Sequence, residues 1–105
     1  QARDLRNASE LRLRTEIQTT LDQWMTANTE VASFNQTILP AAQSAVDTAT
    51  RGFEMGKFNF LDVLDAQRTL ISARTQYIQA IAEATDAWVR IERIFGDVAL
   101  LTRTP

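Results

Sequence analysis

The stretch FEMGKFNFLDVLDAQ, residues 53–67, decides the fold. Gly56 is available for the left-handed conformation that closes a helix. Three residues later Asn59 can cap the next helix, and Asp62, three further on, completes a capping-box-like pair. A helix end, a turn at about 55–59 and a helix start therefore fall within a few residues of one another. The chain on either side is predicted to run as two antiparallel helices.

Downstream of the turn, Val63, Leu70, Tyr77, Ala84 and Ile91 step by seven, and so do Ala66, Ala73, Ala80, Ala87 and Ile94. Two such ladders make one seam of a coiled-coil-like helix, and the alanines let a partner backbone approach closely. A further stripe through Leu64, Ile71 and Ile78, then Ile81, Trp88 and Phe95, gives this helix a second apolar face. Gly96 is read as its end, and DVALLTRTP has no periodicity long enough to assign. The second helix is thus predicted over about 60–95.

Upstream, residues of high helix propensity predict a first helix over about 4–54. Ile17, Trp24, Val31, Ile38 and Ala45 form one seven-step ladder, and Leu21, Asn28, Asn35, Ala42 and Ala49 are read as its companion, polar at two places. A second stripe runs through Met25, Ala32, Leu39, Val46 and Phe53. Pro40 lies inside this pattern, where it removes a backbone donor and crowds the carbonyl of Gln36. Because the ladder passes from Ile38 to Ala45 without a change of phase, Pro40 is read as a kink. The competing reading is a break with Thr37 capping a new helix.

With 105 residues, the chain has length for one small domain. Its 11 basic and 13 acidic residues give a net charge of -2 and a pI near 5.0. A mildly acidic surface argues against a nucleic-acid partner, whose phosphates are held mainly by Lys and Arg. Histidine and cysteine are absent, which removes disulfides, thiol nucleophiles, Ser-His triads and His/Cys metal sites. Without His, Cys or a convincing Ser-Lys arrangement no nucleophile and base pair can be assembled, so an enzyme is not expected, nor is a cofactor. No apolar run approaches the roughly 18 residues of a membrane-spanning helix. The opening QARDLRNASELRLRTE lacks the continuous apolar stretch of a secretory signal. Three glycines and two prolines mean few breaks and long elements. Two helices can bury one seam between them, so the remaining apolar faces call for further helices. The expected fold is an all-α, long antiparallel hairpin that associates into a larger bundle. Its residues read better as two helices of a longer chain than as a whole domain.

The stretch from Arg51 to Asp97, with Phe53, Gly56, the Asp62-Val63-Leu64-Asp65-Ala66 helix start and the closing Phe95 and Gly96, resembles the second-repeat helical hairpin of the TolC-like outer-membrane efflux proteins. Within that family it is most similar to the CzcC-like cobalt, zinc and cadmium efflux branch. The resemblance is strong from Ala41 to Gly96 and looser before it. It implies that residues 1–105 are one periplasmic hairpin of a Gram-negative outer-membrane duct, with the tip at about 53–59. It also implies a homotrimer in the full-length protein, a periplasmic adaptor (membrane fusion) protein as partner and, through that adaptor, an inner-membrane RND pump. Divalent heavy-metal cations would be the cargo.

By the same resemblance, Phe53, Gly56, Lys57, Phe58 and Asn59 are the tip residues that would contact the adaptor. Asp62 and Asp65 would stand near the tunnel entrance, where repeated copies form acidic rings that favour cations. The plainer role of both carboxylates is to cap and to offset the dipole at a helix N-terminus. Phe58 and Phe60 flank Asn59 as an exposed apolar patch, or one of them folds back onto the hairpin. Phe53 stands where many members carry Tyr, so a latch that needs a phenolic hydroxyl is absent. Arg3, Arg6, Arg12 and Arg14, interspersed with Asp4, Glu10 and Glu16, read as a solvated helix face. Trp24 and Trp88 read as packing residues. Tight zinc binding is not expected of scattered carboxylates, and a conduit does not need it. The alternative function is a soluble interaction or sensor module that dimerises into a four-helix bundle, and the isolated chain is in either case expected to self-associate as a dimer.

Overall fold

The structure, a computed structural model, describes the backbone of residues 2–103 and the side chains of residues 3–100. Helix α1 (Ala2–Ser33) passes without a loop into a π turn (Phe34–Ile38) and then into α2 (Leu39–Glu54). After the turn, α3 (Phe60–Arg103) returns along both. The hairpin measures 78 × 23 × 15 Å. Among the described residues there is no strand, and no helix is long and apolar enough to cross a membrane.

The seam of α3 follows its two predicted ladders. Val63, Leu70, Ala73, Ala80, Ala87, Ile91 and Ile94 are buried, and Ala66, Tyr77 and Ala84 are half-buried. Ala80 and Ala87 are each only 1% exposed, as expected where small side chains let two backbones close up. The same rhythm continues to Val98, and the helix runs through Gly96 to Arg103. The predicted end at Gly96 is therefore corrected: the glycine is helical, and the seam beyond it keeps the helix wound. Pro105, the other breaker at this end, lies outside the described residues.

In α1 the ladder Ile17, Trp24 and Val31 does face the seam, but its companion differs from the predicted one. Thr20, Ala27 and Phe34 are buried, whereas Asn28 and Asn35 are exposed and Leu21 is half-buried. Thr20 is tolerated there because its hydroxyl donates to the Glu16 carbonyl at 2.8 Å. Trp24 meets Trp88 at 5.4 Å between ring centroids, and Phe34 meets Tyr77 at 6.4 Å. The two tryptophans thus pack against each other across α1 and α3, although Trp88 remains 45% exposed.

Pro40 neither ends the helix nor stands in an unbroken heptad. The π turn lies just before it, with the Leu39 N–H donating to the Phe34 carbonyl five residues back. Thr37 lies within this turn, so it starts no new helix. Beyond the turn the seam resumes one residue late, at Leu39, Ala42, Val46 and Ala49, while Ile38 and Ala45 are exposed. Leu39, Ala42 and Val46 pack with Leu70 and Ala73. The expectation of a constant phase across Pro40 is corrected accordingly: an extra residue in the turn rephases the helix.

The Arg3, Arg6, Arg12 and Arg14 face is exposed together with Asp4, Glu10 and Glu16. Farther along, Arg90 donates to the side-chain oxygen of Gln23 at 3.2 Å, tying α3 to α1 on the polar side of the seam.

Candidate functional site

The tip is built by two hydrogen-bonded caps set back to back. At the end of α2, Gly56 has φ +72°. The Lys57 N–H donates to the Gly52 carbonyl at 2.7 Å and the Gly56 N–H to the Phe53 carbonyl at 3.0 Å. This is the Schellman arrangement, which satisfies carbonyls that the helix leaves open. At the start of α3, the Asn59 N–H donates to an Asp62 carboxylate oxygen at 3.1 Å, and the Asp62 N–H donates back to the Asn59 side-chain oxygen at 3.3 Å. That reciprocal pair is the predicted capping box.

The aromatic side chains divide between two roles. Phe58 folds back, and its ring lies where a Cβ on Gly52 would sit. Its N–H donates to the Gly52 carbonyl at 3.1 Å. Gly52 is the tip residue that spacing alone does not single out; the signal available was a glycine inside a helix end with an aromatic six residues on. Phe60 instead turns outward against Phe53, with ring centroids 5.6 Å apart. With Met55 and Leu61, which are more than half exposed, these rings form an apolar cap at the end of the hairpin.

Asp62 is held by its cap and also borders an open groove with Phe58, Ala41, Ser44, Ala45 and Thr48. Asp65 is exposed three residues farther along the same helix, and its backbone carbonyl accepts from the Thr69 hydroxyl. The structure thus brings Phe53, Gly56, Lys57, Phe58, Asn59 and Asp62 together at one end and places Asp65 beside them. A second groove, midway along the hairpin, is bordered by Asp22, Glu30, Glu83 and Arg90. Among the described residues, no group of three or more His, Cys, Asp or Glu side chains is placed to hold a metal ion.

Residues 1–97 match the outer membrane efflux protein family. Over 75 residues the chain is 45% identical to the cobalt-zinc-cadmium resistance protein CzcC of Cupriavidus metallidurans, a match that covers 71% of this chain and 18% of that protein. The chain therefore spans less than a fifth of the length of this relative. No solved structure matches it. Both names describe efflux or resistance proteins rather than enzymes. With the family match taking in both long helices and the tip between them, this chain belongs to the outer membrane efflux protein family.

Proposed function

We propose that this hairpin is a wall and tip element of an outer-membrane duct that carries divalent heavy-metal cations out of a Gram-negative cell. The observation that carries the reading is the family match over residues 1–97, joined to 45% identity with a cobalt-zinc-cadmium resistance protein. The wall works without catalysis. In the full-length homotrimer the helices line the periplasmic passage, and the tip at 53–59 meets a periplasmic adaptor that connects it to an inner-membrane RND pump. The exposed Phe53 and Phe60 pair suits such a contact, since apolar patches of this kind favour a partner surface. The family match lends no support to the alternative of a sensor module.

Asp62 and Asp65 then stand at the narrow end, where their copies around the trimer axis attract cations. Of the two, Asp65 is the cleaner probe, because Asp62 is also a cap. Cells lacking the intact protein are expected to accumulate cobalt, zinc or cadmium, and restoring it lowers the load; equal accumulation with and without it sinks the cargo assignment. In single-channel recordings of the intact protein, Asp65→Asn is expected to weaken cation preference and block by multivalent cations. An unchanged preference removes Asp65 from the entrance.

A further inference from the structure

The two arms of the hairpin fall out of step where they pass Phe34. From Phe34 to Leu39 the seam of the first arm advances five residues, while the corresponding seam positions of α3, Tyr77 and Ala73, are four apart. The π turn takes up the surplus residue. Wound as α-helix, residues 34–38 would pass that surplus on, and α2 would turn by about 100° around its own axis, the rotation of one residue. The positions brought to the seam would be Ile38, Ala41, Ala45 and Thr48.

Those four residues are apolar or uncharged, so the rotated seam is a usable one. The positions on the other side of the present seam, Pro40, Gln43, Asp47 and Thr50, include a carboxylate and an amide that a seam would have to bury. At present Ala41, Ala45 and Thr48 border the groove beside Phe58, so they already lie next to the seam that a rotation would bring them to. Pro40 makes the exchange cheap in hydrogen bonds. Having no N–H, it donates neither to Gln36 in α winding nor to Asn35 in π winding, so nothing is lost there in either state. Its ring crowds the Gln36 carbonyl only in α winding, which keeps the π turn favoured.

We propose that the π turn is a register switch with two seams for α2: a major one through Leu39, Ala42, Val46 and Ala49, and a minor, rotated one through Ile38, Ala41, Ala45 and Thr48. Rotation would draw Phe53 away from Phe60 and so change the apolar cap that the tip presents. The switch is a property of the hairpin and does not depend on what the duct carries.

The chain contains no cysteine, so paired cysteines can trap either register. In the intact protein, with any cysteine elsewhere replaced by serine, V46C/A66C reports the major seam and A45C/A66C the rotated one. Under mild oxidation V46C/A66C is expected to close fast. A45C/A66C should close about 10- to 1000-fold more slowly, as for a minor state of a tenth to a thousandth of the population. Deleting the exposed Asn35 removes the surplus residue, and with it the rotated register: A45C/A66C should then fall to background while V46C/A66C still closes. An A45C/A66C pair that stays reduced, or that closes equally well with and without Asn35, overturns the switch. So does a V46C/A66C pair that never closes.

Discussion

A methyl group added at Gly52 would fall within the Phe58 ring, so these two residues share one volume. Gly52→Ala must therefore expel the ring from the turn, a cost of about 1–3 kcal/mol for an overpacked site. With Phe58→Ala already in place the volume is free, and the same Gly52→Ala exchange gains helix propensity of up to about 1 kcal/mol. Urea denaturation of the wild type, the two single variants and the double variant is expected to show this reversal of sign. A Gly52→Ala effect that is the same in both backgrounds would mean that the ring does not occupy the site. Gly56 differs in kind: no side chain crowds it, and its constraint is the left-handed backbone alone.

For the elements, the alanine ladder of α3 sets how closely α1 can lie. Ala80→Leu is expected to cost about 1–3 kcal/mol, since a seam residue 1% exposed has no space for three more carbons. Ala82→Leu, on the exposed side of the same helix, should be near neutral, and thermal denaturation at one fixed protein concentration separates them. A neutral Ala80→Leu would show a looser seam than the one described. Much of α3 and the tip was legible in the sequence, because Val63, Leu70 and the alanines repeat without interruption and because the cap residues act on near neighbours. The first arm was legible only in part. A constant step of seven from Ile17 to Ala45 averages over the slip at the π turn, which composition does not advertise except through Pro40. Thr20 hides its place in the seam behind a polar name, its hydroxyl being spent on the Glu16 carbonyl. Gly96 misled for the opposite reason: a glycine reads as an end, yet the seam on both sides of it holds the helix together. The roles proposed for Asp65 and Lys57 would depend on neighbours outside this chain, so neither periodicity nor the hairpin's own geometry addresses them.

As a whole molecule the hairpin is nearly all surface. It exposes 8234 Å², whereas a compact monomer of 11.8 kDa would expose about 5,900 Å². The difference exceeds the roughly 800 Å² that each partner buries in a standard interface. Ile71, Ile78, Trp88 and Phe95 contribute to it from one side of α3. The isolated chain is therefore expected to self-associate, a dimer of hairpins being the smallest closed bundle, and sedimentation over a concentration series checks this. A helical monomer that persists at high concentration would contradict it. The back-to-back caps at the tip have a further consequence, for the order of folding. Every contact between the arms is nested around that one turn, so the pairs nearest it close the shortest loops and each closure shortens the next. The capped turn is accordingly where zipping begins, with the contacts between Phe34 and Tyr77 reached only after α2 has docked and those nearest the chain ends made last.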